Sequence, residues 1–457
     1  MINLAIKILM RSIRKTIEME FDISYTNKEI TPWGGMVFLK QMLQKIGFRD
    51  LIEQNTDLPQ SGSNRGYKTS TIIESFITSI WCGANRFLHT EVTRHDIALG
   101  KIFDWKNTPG QDTYKRFFGK FTQAKNHHVS QYFYSWIFDN FKFDNFTLDI
   151  DSSVMTRYGV QEGAKKGYNP SKKGRPSHHP LIAFIADVKL VANMWLRSGD
   201  TSSANNFLGF LEDTLSKLKN KTVSLIRLDS GFFQSDILDY IEFKTMDYVV
   251  AAKFTQPIQR LIAAGNNWIL LDTGIEICEQ IYQSDAWTKP RRLVIVRQRI
   301  KDRPKAPGKQ LGLFAEEEIY KNYRYSAYVT NLKFAPAEIW RLYRGRGDAE
   351  NRIKELKYDF GFDSFNLKDF YATEAALTFA MIAYNLMALF RTFVLQEKTQ
   401  KTLSTLRYRN FAIGAYFEKV NDKLVLKIAL SKKRRAWFSG LWNYSKVFDY
   451  PFDVAIA

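Results

Sequence analysis

The sequence predicts a mixed α/β protein with a central sheet, a helical region before it, and a helix and hairpin after it. Three observations support this prediction. Apolar residues recur at helical spacing before about residue 140. From residue 143 the pattern changes to a strict alternation of apolar and polar residues, first in Phe146–Asp151. Beyond residue 366 a long apolar segment predicts a buried helix.

Residues 1–140 are predicted to be helical, with DNA binding as their role. The apolar residues of the first clear helix are Phe38, Leu39, Met42, Leu43 and Ile46. A later helix, with Asp112 or Thr113 as its N-cap, interleaves aromatic with basic residues around Tyr114–Phe118. Such helices suit DNA binding and ordinary amphipathic packing equally, and the sequence leaves both readings open.

The central region follows the order strand, hairpin, helix, strand, which is typical of a mixed α/β domain. Its predicted elements are Phe146–Asp151, Leu181–Asp187, Leu190–Leu196, Ser203–Leu218 and Val223–Leu228. About 120 residues then separate Asp229 from Glu350. They hold four predicted strands, Tyr248–Ala252, Trp268–Asp272, Arg292–Arg299 and Tyr325–Thr330, and a Pro/Gly/Lys-rich loop at 301–312. We interpret this segment as a β-rich insertion.

After Asn366 the sequence predicts a long helix to about Gln396 and then a hairpin. The hairpin strands are Ala415–Val420 and Lys423–Leu430, which turn at Asn421-Asp422. Within the helix, the apolar segment Ala375–Phe390 is too short to cross a bilayer comfortably, so a buried helix is expected.

The composition is that of a folded and strongly basic protein. Its 457 residues exceed one typical domain, and 45% hydrophobic residues exclude a disordered chain. A net charge of +19 attracts polyanions; an anionic membrane surface or simple solubility are the alternatives. Two distant cysteines, Cys82 and Cys278, fit a reducing cytosol. The first 20 residues lack a continuous apolar stretch and a cleavage site, so no signal peptide is expected.

Three segments place carboxylates at the ends of predicted elements. Asp149 and Asp151 end one strand, Asp229 ends another, and Glu350 belongs to a helix that can cross the same sheet edge. Carboxylates brought together repel one another unless divalent cations neutralise them, and Mg²⁺ accepts such ligands together with substrate phosphates. Two Mg²⁺ ions about 3.5–4 Å apart can activate an attacking oxygen and stabilise a leaving one.

The helix of Glu350 also carries Tyr343, Arg346 and Lys357. On one continuous α-helix these four positions fall within an arc of roughly 60°. An acid that can hold a metal would then share a face with side chains that can hold phosphate oxygens. This combination predicts chemistry on a nucleic-acid backbone. The alternative is a solvated, charge-laced surface helix.

The pattern Tyr-x2-Arg-x3-Glu-x6-Lys resembles the signature around the last acid of bacterial insertion-sequence transposases of the DDE type. Asp151-Ser-Ser and Asp229-Ser-Gly-Phe resemble the segments around the first two acids, in matching order and separation. Gly159–Ala164, Gly167–Pro170 and His179–Leu181 look like one branch of these transposases. The resemblance extends from roughly residue 145 to 360 and is weaker at both ends.

The resemblance implies an RNase H-like catalytic domain at 141–365, with the β-rich insertion at about 253–330, and a C-terminal region at 366–457 for DNA binding or dimerisation. It assigns catalysis and metal binding to Asp151, Asp229 and Glu350, with two Mg²⁺ ions for which Mn²⁺ substitutes. Tyr343, Arg346 and Lys357 would bind DNA. Asp149 and Asp151 share a strand face, and the Ser-Ser that follows Asp151 favours Asp151 over Asp149.

The implied function is that of a cut-and-paste transposase in the bacterial cytoplasm, associated with the nucleoid. It would bind the terminal inverted repeats of its element, cleave there and join the ends to target DNA, as a dimer on double-stranded DNA and without a membrane. The alternatives are a metal-dependent nuclease on the same core and a catalytically silent, repurposed DNA-binding protein.

Three further groups have two interpretations each. The basic stretch Lys165–Arg175 lines the DNA path or forms a solvated hairpin. The run Lys432–Arg435, near Trp437 and Trp442, binds phosphates beside stacking aromatics or forms a basic turn over a small core. Trp268 or Trp287 holds a flipped base, as related transposases do, or belongs to the core.

Overall fold

The computed structural model of the protein describes residues 21–453 except 64, 266, 301–321 and 398. The expectations for the first 20 residues and for the loop at 301–312 therefore lie outside the described residues. Within the described range the chain contains long helices before residue 140 and a large sheet after it.

The N-terminal helices pack around the apolar face that the sequence predicts. They are α1 (Val37–Lys45), α2 (Phe48–Gln54), α3 (Thr69–Trp81), α4 (Thr90–Arg94), α5 (Ile97–Ile102), α6 (Gln111–Phe118) and α7 (Gln123–Asp139), preceded by the short strand β1 (Ile30–Thr31). The predicted apolar residues of α1 and the turn after it are all at most 3% exposed. Their burial confirms the predicted face.

The N-cap predicted for α6 is wrong. The helix begins at Gln111, one residue before Asp112, and Gly110 is its N-cap. The backbone N–H of Gln111 donates to Glu91 Oε1 of α4 at 2.7 Å. A carboxylate from another helix therefore satisfies the first turn, which a local capping pattern does not reveal.

The centre of the molecule is one sheet to which nine strands of the described residues contribute, in the order Ile269–Asp272, Ile275–Tyr282, Arg291–Arg299, Tyr323–Thr330, Asp247–Ala251, Val223–Leu228, Phe146–Ser152, Leu181–Ile185 and Leu190–Trp195. The strands of its first half along the chain are β3 (Phe146–Ser152), β7 (Leu181–Ile185), β8 (Leu190–Trp195), β9 (Val223–Leu228) and β10 (Asp247–Ala251). Helices α8 (Phe207–Leu218) and α9 (Ser235–Phe243) connect β8 to β9 and β9 to β10. Strands β3, β9 and β10 are parallel, whereas β7 and β8 are antiparallel to their neighbours. This is the strand arrangement of an RNase H-like core, which confirms the predicted fold class.

The strands of the predicted insertion extend the same sheet. They are β11 (Ile269–Asp272), β12 (Ile275–Tyr282), β13 (Arg291–Arg299) and β14 (Tyr323–Thr330), which follow helix α10 (Gln256–Ala264). Strand β14 pairs with β10, so hydrogen bonding continues without a break from the core into the insertion. Helix α11 (Pro336–Arg344) then buries Ile339 and Trp340 against the strands of this half of the sheet. The chain is thereby led back to the core before Glu350.

Small sheets and turns complete the central region. Strands β4 (Met155–Thr156), β5 (Lys165–Lys166) and β6 (Pro176–His178) form a separate sheet directly after β3. Strand β2 (Phe141–Lys142) pairs with the last strand of the described residues, β17 (Phe452–Asp453). The boundaries near residues 140 and 365 stay a prediction.

Helix α12 (Gly347–Asp359) follows α11, and the C-terminal region begins with the predicted buried helix, α13 (Phe370–Leu389). The helical segment Phe370–Val394 is long and apolar enough to cross a membrane, but 94% of its most apolar window is buried within the protein. Polar side chains of this helix form hydrogen bonds with the backbone of the sheet. Asn385 accepts from the N–H of Val191 and donates to the carbonyl of Val191, both at 2.8 Å. The prediction of a buried core helix is confirmed.

The predicted hairpin is also present, after the short helix α14 (Leu403–Leu406). Strands β15 (Ala415–Val420) and β16 (Lys423–Ile428) are joined by Asn421 and Asp422, which both have a positive φ, 47° and 60°. Asparagine and aspartate tolerate this conformation, and a two-residue turn of this kind matches the twist of the strands. Helix α15 (Lys432–Val447) follows.

Glu374 of helix α13 is expected to make the stability of the protein depend on pH. The Glu374 carboxylate accepts from the N–H of Leu196 at 3.1 Å and from Asn126 Nδ2 at 2.9 Å. Burial raises its pKa from 4.5 to about 7, against these hydrogen bonds and nearby Lys217. The folded protein therefore holds a proton that the unfolded chain releases between these two values, and stability should fall as pH rises from about 4.5 to 7, by at most about 3 kcal/mol.

Glu374→Gln tests this expectation, because glutamine keeps the shape and cannot ionise. Urea unfolding of both proteins between pH 5 and 8 should show the variant gaining stability over the wild type as pH rises. Parallel stability curves for the two proteins would show that Glu374 does not titrate in this way.

Candidate active site

Two of the three predicted acids lie side by side at the ends of neighbouring strands. Strands β3 and β9 are parallel, with Asp149 opposite Arg227 and Ile150 opposite Leu228. The next residue of each strand is Asp151 on β3 and Asp229 after β9. Because parallel strands end at the same sheet edge, the register brings these two carboxylates to one place.

Asp149 is already paired in the core. It is fully buried, and its two carboxylate oxygens accept from Arg227 Nε at 2.6 Å and Nη2 at 2.8 Å. Arg227 Nη1 donates to the carbonyl of Leu342 at the end of α11, at 2.7 Å. This bidentate pair ties β3, β9 and α11 together and leaves Asp149 no free oxygen edge for another ligand.

Asp151 is also buried, but unlike Asp149 it lies close to the other charged residues of the predicted site. Burial raises the pKa of its carboxyl to about 6, although nearby Arg346 opposes the rise; Asp229 and Glu350 add to it. Arg346 Nη2 lies 3.0 Å from Asp151 Oδ2. The Asp151 carboxylate therefore lies close to the two other predicted acids, Asp229 and Glu350, and to the Arg346 guanidinium.

Asp229 is oriented by the turn that follows it. Its Oδ1 accepts from the N–H of Gly231 at 2.8 Å, within the short 3-10 helix Ser230–Phe232. A Cβ on Gly231 would lie 2.7 Å from Ser203 Oγ and 2.9 Å from Asp229 Oδ1. Glycine is required here by close approach: it leaves room for the carboxylate that its amide holds.

The expectation of a single helix face for Tyr343, Arg346, Glu350 and Lys357 is wrong. Helix α11 ends at Arg344 and α12 begins at Gly347. Between them the N–H of Arg346 bonds to the carbonyl of Tyr343 at 2.9 Å, a three-residue step tighter than an α-turn. A Cβ on Gly345 would lie 2.4 Å from Arg227 Nη1, so glycine lets the break pack on the buried guanidinium.

The structure nevertheless places these side chains around Asp151. Arg346 is 6% exposed, and its Nη1 lies 4.0 Å from Glu350 Oε1. Lys357 Nζ donates to the carbonyl of Val154 at 3.0 Å, and burial lowers its pKa against the charges of Asp363 and Asp151. The Tyr343 ring lies 4.4 Å from that of Tyr328, and burial raises its pKa.

Among the described residues, no three His, Cys, Asp or Glu side chains are arranged so as to hold a metal ion. Asp151 pairs with Arg346, and the Glu350 side chain is 62% exposed. The donor chemistry still fits a hard divalent cation, since all three predicted ligands are carboxylates. Arg346 supplies the positive charge beside them in this arrangement.

The other predicted groups lie in different settings. Lys165 of the basic stretch pairs with Asp200 at 3.0 Å, in the small sheet that follows β3. Trp287 is 7% exposed and packs against Phe233 and Tyr282, which places it in the core. Trp268 is half-buried, with the Arg297 guanidinium 4.2 Å from its ring centre.

Sequence reasoning missed Arg227, and it quoted Gly231 in the Asp229-Ser-Gly-Phe segment without assigning it a role. A register argument would have found Arg227, because it precedes Asp229 by two residues, as Asp149 precedes Asp151. In adjacent parallel strands that equal offset places a buried acid opposite a buried base. The role of Gly231 depends on Ser203, which is distant in sequence, so no local pattern reveals it.

Replacement of Gly231 is expected to disturb Asp229 specifically. In Gly231→Ala the new methyl would push the Asp229 carboxylate or Ser203 aside, and loss of such support typically costs about 10–100-fold in activity or metal affinity. The predicted activity, DNA cleavage, and the predicted affinity for Mn²⁺ measure the effect. Gly209→Ala in α8 is the control, because its Cβ would make only ordinary contacts, 3.6 Å from Trp195. Equal activity of the two variants would contradict the role of Gly231.

The chain is similar to known transposases. No curated protein matches the sequence. Among solved structures, the chain is similar to the piggyBac transposase in a synaptic complex with hairpin DNA, at 9% identity and a TM-score of 0.42, over 83% of this chain and 79% of that one. The family described as Transposase DDE domain group 1 matches residues 14–444. Transposases of this type are DNA-cleaving and DNA-transferring enzymes that generally use divalent metal ions. The match covers nearly the whole chain, which therefore belongs to the DDE transposase family.

Proposed function

We propose that this chain is the transposase of a cut-and-paste insertion sequence. It binds the terminal inverted repeats of its element, cleaves the DNA there and joins the freed 3′-OH groups to target DNA in the bacterial cytoplasm. Joining two ends requires two active sites, so the working form is at least a dimer on DNA.

The observation that carries the proposal is the meeting of Asp151 and Asp229 at the ends of β3 and β9, with Arg346 and Glu350 at the start of α12 beside them. Register and hydrogen bonding fix the two aspartates. The break after α11 brings the next two side chains to the same edge. Without this geometry, a match to the family would be equally compatible with a protein that has lost its catalytic site.

Asp151, Asp229 and Glu350 are the ligands that we assign to divalent metal, with Mg²⁺ as the ion and Mn²⁺ as its substitute. When bound, a pair of such ions activates an attacking oxygen and stabilises a leaving oxygen on phosphorus. Glu350, being exposed, is free to change rotamer toward the two aspartates. Asp149 has no part in this set, because Arg227 occupies both of its oxygens.

Arg346, Lys357 and Tyr343 hold the DNA backbone near the scissile phosphate. Within the described residues, Arg346 Nε and Nη2 are buried without a hydrogen-bond partner, although Nη2 forms an ion pair with Asp151. A buried donor without an acceptor is costly, and a phosphate oxygen that displaces the groups covering Arg346 Nε would satisfy it. Lys357 reaches the turn after β3, so its charge lies beside the same carboxylates.

The proposal is tested by strand transfer in vitro. Purified protein is incubated with Mg²⁺ or Mn²⁺, a duplex that carries one element end and its flanking DNA, and a supercoiled target plasmid. Metal-dependent cleavage at the end and covalent joining to the plasmid are expected. Cleavage without joining would favour a metal-dependent nuclease, and binding without either reaction would favour a silent DNA-binding protein.

A further inference from the structure

The last helix, α15, is fixed to the body of the protein by one of its faces. The Phe438 ring lies 4.7 Å from that of Phe38 in α1. Ser445 Oγ donates to Gln41, and Lys45 Nζ donates to the carbonyl of Lys446 at 3.2 Å. Helix α15 therefore joins the N-terminal helices as a docked element, which gives its exposed face a fixed orientation.

That exposed face carries positive charge without compensation. Helix α15 contains Lys432, Lys433, Arg434, Arg435 and Lys446 and no acidic residue. In the described part of the chain, none of these five forms an ion pair with a carboxylate, whereas many other basic residues do. Four of the five occupy the first turn, where the helix dipole disfavours cations. Helix stability therefore does not account for them.

A groove of about 370 Å³ continues this surface onto the neighbouring π-helical segment Arg407–Phe411. Arg409 and Arg434 both line the groove, and Arg434 donates to the backbone carbonyl of Arg409. The lining carboxylate, Glu397, is paired with Lys401. We call Arg409 together with Lys432, Lys433, Arg434 and Arg435 the C-terminal basic surface.

The aromatic residues beside this surface are occupied. Trp437 packs on Phe38 and Phe438 at 6.3 and 6.2 Å between ring centres, and Arg434 lies 4.8 Å from the same ring. Trp442 likewise carries Lys446 at 4.8 Å. These rings hold cations in place and pack on the core, so they are not platforms on which unpaired bases stack.

We propose that the C-terminal basic surface binds the phosphate backbone of double-stranded DNA, outside the catalytic site and independently of base sequence. The fixed, unpaired cations complement a regularly spaced polyanion, and phosphate contacts position a duplex without reading its bases. This proposal rests on the proposed function in that DNA is the substrate. It adds a second contact, which holds the duplex while the active site works on the end.

The test removes three charges of the surface and compares them with three charges elsewhere. The test variant is Lys432→Gln, Lys433→Gln and Arg435→Gln, which spares Arg434 and its contacts. The matched control is Lys419→Gln, Lys423→Gln and Lys427→Gln on the β15–β16 hairpin, where Lys419 and Lys427 are paired with Asp422 and Glu418. Both variants lose the same net charge, and thermal unfolding checks that both are folded.

Binding to end-bearing and to unrelated duplexes is measured between 50 and 300 mM salt. Each lost phosphate contact reduces the magnitude of the slope of log affinity against log salt concentration by about 0.9. On both duplexes the slope of the test variant should therefore be smaller in magnitude than that of the wild type by roughly 2–3, while the slope of the control stays near the wild-type value. An unchanged slope in the test variant, or an equal decrease in both variants, overturns the proposal. So does binding to anionic lipid vesicles that depends on these residues when DNA binding does not.

The outcome separates the surface from the catalytic function. A wild-type protein that cleaves and joins DNA, with an unchanged slope in the test variant, refutes the surface alone. A wild-type protein whose duplex binding depends on the surface, but which neither cleaves nor joins, refutes the transposase proposal alone.

Discussion

Asp229→Ala and Glu350→Ala are expected to bind end-bearing DNA with an affinity close to that of the wild type and to leave it uncut. Both residues supply carboxylates to the proposed metal set, and neither holds the fold together: Glu350 is largely exposed, and Asp229 bonds mainly to its own turn. A loss of roughly 10³ in cleavage rate, equivalent to about 4 kcal/mol of transition-state stabilisation, is the expected scale.

Single-turnover cleavage in Mg²⁺ and a gel-shift titration in EDTA measure the two properties separately. Asp348→Ala is the matched control for Glu350→Ala, because Asp348 is an exposed acid in the first turn of the same helix. It should cleave like the wild type. Cleavage at the wild-type rate by either Asp229→Ala or Glu350→Ala would remove that residue from the metal set.

Asp149→Asn and Asp151→Asn are expected to fail in opposite ways. Asp149→Asn leaves the buried Arg227 without a counter-charge, and breaking a buried ion pair from one side costs about 3–5 kcal/mol of stability. Asp151→Asn also removes a partner from buried Arg346, but Glu350 lies 4.0 Å from the same guanidinium and burial already opposes the ionisation of Asp151, so the stability of this variant should change less. It should, however, lose cleavage, while the folded fraction of Asp149→Asn keeps some.

Urea unfolding gives the free energy of unfolding of both variants, and an assay at low temperature gives their cleavage rates. Together these values distinguish a structural role from metal binding. A stable but inactive Asp149→Asn, beside a destabilised but active Asp151→Asn, would move the first metal ligand to Asp149. The comparison is internal, because the two substitutions are chemically identical and lie two residues apart on one strand face.

Elements with a strong local pattern could be predicted from the sequence. The alternation of Phe146–Asp151 identified β3, and Asn421-Asp422 identified the hairpin turn, because side-chain periodicity and turn chemistry act over a few residues. The two aspartates at strand ends could be expected at one edge for the same reason. The sequence also grouped Arg346 with Glu350, but it did not predict the ion pair of Arg346 with Asp151, and the single helix that it predicted is broken.

Features that depend on distant partners could not be predicted. The break at Gly345 packs closely on Arg227, more than 100 residues earlier in the chain. The start of α6 follows from Glu91 in a different helix. In each case a tertiary contact outweighs a local preference, and a single sequence does not show which residues will meet.

The two edges of the central sheet differ, with a consequence for how the chain can vary. At the β8 edge, side chains of α13 form hydrogen bonds with the backbone: Asn385 with Val191, and Glu374 with Leu196. At the other edge, β11 presents Ile269 and Leu270 to solvent, 65% and 71% exposed. Among the described residues, the edge with exposed apolar side chains is therefore the β11 edge, which lies far in strand order from β3 and β9. A strand added or removed at that margin would leave the register of β3 and β9 in place, and with it the positions of Asp151 and Asp229.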